Sequence, residues 1–166
     1  MSHEVVLRSR SDYKGGPLWA LFRAGPSTKR FRVVWADLAR RLTAIALTKA
    51  EHRRLIPLNT CYVMSSPDAA TANALAGWLN STWIRALARL GADPASGGFA
   101  RFNRRTVGGL PLPETVPGDQ HLARLAAETD PEQQSIDDLV ASHLDLPASA
   151  LRTLASVAGA GAGHRS

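Results

Sequence analysis

An α+β fold, a small mixed or antiparallel sheet with helices followed by a short C-terminal helical segment, is predicted by three observations. Runs rich in β-branched and aromatic residues, such as Phe31 to Trp35 (FRVVW), lie in the first 65 positions. A long apolar stretch of helical spacing then runs from Pro67-Asp68 to Leu90. Beyond Gly118 the apolar residues recur in short clusters, Leu122 with Leu125, Ile136 with Leu139 and Val140, and Leu151 with Leu154. This divides the chain into an α+β domain over 1–113, a helical appendage over 114–158 and a disordered Gly/Ala tail over 159–166.

Taken in order, Val5, Val6 and Leu7 suffice for a short edge strand, and Gly15-Gly16-Pro17 breaks the chain. Pro17 to Arg23 (PLWALFR) and Phe31 to Trp35 read as two strands joined through Gly25-Pro26-Ser27. Ala36 to Leu42 reads as one or two helical turns, with Leu38 and Leu42 inward and Arg40 and Arg41 outward. Ala44 to Leu47 suits a strand. Leu55 to Met64 is strand-like, with Pro57 demanding an edge or a bulge because it has no N–H to donate. Asp68 is placed to cap the long helical stretch, which is interrupted near Asn80-Ser81, where Asn80 or Ser81 caps a second helix. Leu75, Leu79, Ile84, Leu87 and Leu90 form its buried face, and Gly91 suits its C-cap. The glycine loop from Pro94 to Gly98 leads to a strand near Phe99 to Phe102. Leu110-Pro111-Leu112-Pro113 is extended, since each proline fixes its own φ and disfavours helix in the residue before it.

Composition narrows the function. The 166 residues carry a net charge of +6, spread unevenly: positions 1–112 hold 17 Lys/Arg against 6 Asp/Glu, and 113–166 hold 3 against 8. A basic body calls for a polyanionic partner, and the acidic helices after it should turn away from that partner. The single cysteine, Cys61, excludes an internal disulfide and fits a core thiol in a reducing compartment. With no apolar leader and no long apolar window, a cytoplasmic protein without a membrane span is expected. There is no phosphate-binding glycine loop with its lysine, no nucleophile elbow and no Cys/His set at zinc spacing. The chain is therefore not expected to be an enzyme by itself.

What remains is a set of arginine clusters interleaved with aromatics: Lys29-Arg30-Phe31-Arg32, Arg40-Arg41, His52-Arg53-Arg54 and Arg101-Phe102-Asn103-Arg104-Arg105. The planar guanidinium binds phosphate or a guanine edge bidentately, and the Asn amide can do the same to adenine. Lys29, Arg30, Arg32, Arg40 and Arg41 are read as phosphate grips, and Arg101, Asn103, Arg104 and Arg105 as base or near-base contacts. Gly97 and Gly98 would let their loop approach a groove closely. Arg85 and Arg89 read as surface residues, and Trp19, Trp35, Trp78 and Trp83 as core.

The segments PLWALFRAGP, RVVWADLARRL, LIPLNTCYV, LAGWLNSTWIRALAR, ASGGFARF and VGGLPLP follow in an order that resembles the TaqI-like C-terminal specificity (target-recognition) domain of N6-adenine DNA methyltransferases and fused restriction–modification enzymes. The likeness spans about Gly16 to Pro113. It implies a DNA sequence-recognition module for double-stranded DNA that lacks the catalytic domain. No cofactor is expected in this chain. S-adenosylmethionine would belong to a methyltransferase catalytic chain acting as partner, because the Asn/Asp-Pro-Pro-aromatic tetrad of such enzymes has no counterpart here: Asn59-Thr60-Cys61-Tyr62 lacks both prolines. The alternative expectation is a non-specific nucleic-acid-binding or assembly protein.

Overall fold

The computed structural model describes residues 29–160. The strands expected near 5–7 and 17–23, the break and turn beside them, and Trp19 lie outside these residues, as does the tail beyond 160. The described chain begins with β1 (Phe31–Ala36), β2 (Leu38–Ala39), β3 (Ala44–Leu47) and β4 (Cys61–Ser66). Helices α1 (Ala69–Asn80) and α2 (Thr82–Gly91), strands β5 (Asp93–Pro94) and β6 (Ala100–Arg101), and helices α3 (Arg104–Gly108), α4 (Gln120–Ala126), α5 (Gln133–Leu144) and α6 (Ala148–Ala160) follow. The fold is α+β, with two small antiparallel sheets ordered β3-β1-β4 and β2-β6-β5.

β1 is the middle strand of the first sheet because its FRVVWA sequence tolerates burial on both faces. Val33 pairs with Ala46 on one side and Met64 on the other. Val33 and Trp35 carry the sheet's side of a core completed by Trp78 and Leu79 of α1, Ile84 of α2, and Val116, Leu122, Ile136 and Val140 from the segment after Pro113. Gly77 lets α1 and α4 touch: a Cβ there would lie 2.9 Å from Ala126 Cβ and 3.0 Å from Leu122 Cδ1. A helical glycine costs up to about 1 kcal/mol relative to alanine, and the close approach of two helices offsets it.

Three local expectations are corrected. Ala36 to Leu42 is not helical. Asp37 donates its N–H to Thr60 O (2.8 Å) and accepts from Phe102 N (2.6 Å), so long-range partners capture the backbone as strand, with Leu42 still buried and Leu38 exposed. The strand expected from Leu55 begins only at Cys61, because a turn closed by Cys61 N to Leu58 O (2.9 Å) precedes it and leaves Leu55, Ile56 and Leu58 exposed. Leu90, expected in the core, is also exposed, since its position in the last turn of α2 faces outward.

The interruption at Asn80-Ser81 is a polar joint. Ser81 Oγ accepts from Ile84 N and so caps α2, and it donates to Trp78 O (2.9 Å) at the end of α1. Asn80 turns its amide on the peptide of Ala44 in β3, accepting from its N–H (2.9 Å) and donating to its C=O (2.7 Å). Arg85, expected on the surface, reaches back into this joint. It donates to Leu42 O (3.0 Å), Asn80 Oδ1 (3.1 Å) and Gln133 Oε1 (3.2 Å). Burial, followed by the neighbouring charge of Arg41 and against the pull of Asp137, lowers its pKa to about 10. From α5, Asp137 accepts from Thr82 N (2.7 Å) through Oδ1 and from the Trp83 indole (2.7 Å) through its backbone C=O.

Replacing Asn80 by Ala strands both polar groups of the Ala44 peptide and one arm of Arg85, so urea unfolding should show a loss of about 1–3 kcal/mol. Asn80→Asp keeps the acceptor and loses the donor to Ala44 O, and should fall between the two.

Candidate nucleic-acid interface

The second sheet brings two of the four basic clusters together. Register pairs Leu38 with Arg101 and Ala39 with Ala100, which sets Arg40 beside Phe99 across the strands. The Arg40 guanidinium lies 5.3 Å from the centre of the Phe99 ring. An arginine over an aromatic face keeps its charge while its apolar stem and plane are supported. Gly97 (φ 70°) and Gly98 (φ 77°) turn the loop into Phe99 with backbone angles that a side chain would strain. Nothing lies within 4 Å of a Cβ built at Gly98, so its conformation, rather than crowding within the chain, calls for glycine there.

Arg101 is exposed and in an ion pair: its Nη1 donates to Asp37 Oδ2 at 2.6 Å. The other oxygen of Asp37, Oδ1, is buried with no hydrogen-bond partner among the described residues. Asp93 stands opposite Arg101 in the adjoining strand. A helix over 36–42 hides Asp37 as a site residue; WADLAR taken as two short strands around a hinge places its carboxylate beside β6.

Asn103 is corrected. Its Oδ1 accepts from Arg105 N (2.9 Å) and Thr106 N (3.0 Å), making it the N-cap of α3. An amide whose oxygen is held by two backbone N–H groups cannot present the donor–acceptor pair that an adenine edge requires. The cap instead starts a helical turn that displays Arg104 and Arg105, both exposed.

The first and third clusters meet elsewhere. Arg32, expected to grip phosphate, is wholly buried and donates through Nη2 to His52 O at 2.7 Å. By strand alternation its side chain lies on the face of β1 opposite Val33 and Trp35, and it is buried there. Lys29 and Arg30 remain exposed, with Arg30 4.8 Å from the centre of the Phe31 ring. They lie at the opposite end of β1 from Asp37, about 20 Å away at strand rise. Arg41 is exposed beside Arg85.

Arg104 also borders a cleft of about 560 Å³ lined by Trp35 and Tyr62 of the sheet, Trp78 of α1, and Val107 and Leu110 beyond β6. Trp35 and Tyr62 stack with ring centres 5.8 Å apart, and the Trp35 indole donates to Phe102 O (2.8 Å), tying the cleft wall to β6. The size and apolar lining suit a flat organic group or an apolar side chain.

A separate hydroxyl–imidazole–carboxylate chain joins the C-terminal helices. Thr115 Oγ1 lies 2.9 Å from His143 Nδ1, and His143 Nε2 lies 2.7 Å from Asp119 Oδ2. Asp119 Oδ1 meanwhile caps α4, accepting from His121 N and Leu122 N. None of the three lines the cleft, and both Asp119 oxygens are committed to holding helix ends, so the chain is a tether. Among the described residues no group of three or more His, Cys, Asp or Glu is placed to hold a metal ion. No helix among them is long and apolar enough to cross a membrane. No protein-family model, curated protein or solved structure matches the chain.

The tether has a pH signature. Burial works against the Asp119 carboxylate, but hydrogen bonds from His143, Leu122 and His121, with the His143 charge, outweigh it and hold the pKa below 3.8. A carboxylate with a depressed folded pKa contributes stability above its unfolded value, and that contribution is lost as pH falls through the folded one. Thermal melts from pH 5 downward should therefore show a steeper loss for the native chain than for Asp119→Asn, with the two curves converging below about pH 4. Asp119→Ala, which removes the cap as well, should cost about 1–2 kcal/mol at neutral pH.

Proposed function

We propose that this chain is a DNA sequence-recognition module of an adenine-specific DNA methyltransferase or restriction–modification system, acting in the cytoplasm on double-stranded DNA. Methyl transfer from S-adenosylmethionine would belong to a catalytic chain to which the module delivers its site. The observation that carries the reading is the gathering of Arg40 on Phe99, Arg101, and the Arg104–Arg105 turn around the Gly97-Gly98 loop through the pairing of β2, β5 and β6. A glycine-hinged loop flanked by displayed guanidiniums combines close backbone approach with phosphate contacts, the two requirements of groove binding. The methyltransferase assignment is supported by the serial resemblance of the segments between Gly16 and Pro113, including the Leu-Asn-Ser joint and the Leu-Pro-Leu-Pro exit.

In this reading Arg40, Arg41, Arg104 and Arg105 grip phosphates, since none of them makes an ion pair among the described residues. Lys29 and Arg30 lie too far along β1 to join the same patch and would touch DNA only beyond it. Specific reading then falls to the groups that face the groove between these grips.

Fluorescence anisotropy on random duplexes between about 50 and 200 mM salt, with sequencing of the bound fraction, tests the proposal. An enriched motif that survives the higher salt is expected; salt-sensitive binding without enrichment would instead identify a generic nucleic-acid binder. Arg40→Ala, Arg104→Ala and Arg105→Ala should each weaken binding on all sequences alike and flatten the log–log salt slope by about 1.

A further inference from the structure

The arginines of the proposed interface differ in one respect. Arg40, Arg41, Arg104 and Arg105 make no ion pair among the described residues, whereas Arg101 is bonded to Asp37 and stands opposite Asp93 in the register. A residue meant for phosphate would gain nothing from two carboxylates beside it, because each repels the phosphate that it should attract. A neutral base edge suffers far less from that repulsion, and it offers acceptors that a fixed guanidinium can match.

We propose that Arg101, held in place by Asp37, reads a guanine edge in the major groove, so that the recognised sequence contains a guanine that Arg101 specifies. This rests on the reading of the chain as a DNA-recognition module. The bond to Asp37 uses Nη1 alone and leaves the Nε/Nη2 edge of the guanidinium without a protein partner among the described residues. Two parallel N–H donors at that edge match O6 and N7 of guanine, the commonest specific contact of arginine. No other base edge in the groove offers two adjacent acceptors in this way.

Asp37 is the positioning residue. Its backbone is pinned on both sides, by Thr60 O and by Phe102 N, at the hinge where β1 passes into β2. Its Oδ1 is buried without a hydrogen-bond partner among the described residues, and Oδ2 is the oxygen that meets Arg101. A carboxylate oxygen in that condition is destabilising and calls for an explanation, of which a role at a site is one. The pair fixes the guanidinium plane before DNA arrives, which lowers the ordering cost of a bidentate contact. Register also places Leu38, Arg101 and Asp93 on one face of the sheet, with Ala39, Ala100 and Pro94 on the other. On that face Arg101 is framed by an aliphatic side chain and two acids, with Arg40 on Phe99 next along the strands.

The test is selection of bound duplexes from a random pool by the full chain and three variants, with melting curves to establish folding. The native chain should enrich a motif with a guanine preferred about tenfold or more at one position. Arg101→Lys, which keeps the charge but not the planar fork, should retain the salt slope and lose that preference. Arg101→Ala should lose the preference as well. Asp37→Asn should weaken the guanine preference while raising affinity for unrelated duplexes and steepening the salt slope, because the released guanidinium can then grip phosphate; mere removal of the carboxylate's repulsion would raise affinity and leave the guanine preference intact.

A native motif in which no guanine depends on Arg101 overturns the inference and leaves the module reading standing. Equal weakening on every sequence by Arg101→Lys and Arg101→Ala identifies a phosphate contact and has the same effect. Unchanged preference and salt slope in Asp37→Asn remove the positioning role. No enriched motif with the native chain sinks the module reading and this inference together.

Discussion

The amide of Asn80 on the peptide of Ala44 is the contact on which the arrangement depends. It joins the end of α1 to the edge strand of the first sheet by the two hydrogen bonds that a neighbouring strand would otherwise supply. The joint reaches further through its partners: Arg85 ties Asn80 to the loop after Arg41, and Gln133 donates to Asn80 O and Asp137 Oδ1, drawing α5 against the same corner. A buried polar network of this kind is high in cost when partly made and specifying when complete, because the alternative packings leave its members unpaired. The low local dielectric that lowers the pKa of Arg85 also strengthens each bond that it donates.

From that corner the geometry propagates to the interface. β1 can be the middle strand only because β3 is held on one side by Asn80 and β4 is paired on the other, and its exit at Asp37 then sets where the second sheet begins. The strands of that sheet are two residues each, too short to persist alone. They depend on Phe102, whose ring is fully buried, whose carbonyl accepts from Trp35, and whose N–H donates to Asp37 O. The exposed arginines thus stand on a thin layer whose position is inherited from the core beneath it. The segment after Pro113 shares that core through Val116, Leu122 and Val140.

Much of this was legible in the sequence where one local signal dominated. Asp68 and Ser81 cap their helices as their side chains dictate, the β-branched run at Phe31 forms a strand, and the C-terminal apolar clusters form helices. Errors fell where distant partners decide. Ala36 to Leu42 has helical composition, but backbone bonds to Thr60 and Phe102 override it. Arg32 reads as one of three cations in a four-residue cluster, and only the tertiary structure shows that it is inside. Asn103 looked like a base reader because amide chemistry suits adenine, yet the same chemistry suits a helix N-cap, and the short helix after it lacks the length that would announce itself in a periodicity. Arg85 looked superficial because charge at a helical spacing usually is; its stem crosses a joint that no pattern in one segment reveals.

In the proposed function the Arg101–Asp37 pair separates stability from recognition. An exposed ion pair of this kind contributes about 0–1 kcal/mol, because solvent screens the attraction and two side chains lose freedom to make it. The buried second oxygen of Asp37 takes away from even that gain. Stability is thus a poor reason for a carboxylate at the hinge of the sheet. Within the proposed function its effect on charge is larger: it lowers the local potential at one arginine in a surface otherwise arranged to attract anions. Affinity and reading make opposite demands on arginine, since a bare guanidinium seeks the nearest phosphate whatever the sequence. A protein that must do both can divide the labour by neutralising the reader and leaving the grips charged. On the proposed function, the distribution of acids around β6, more than the number of arginines, is the feature of this surface that would bear on specificity.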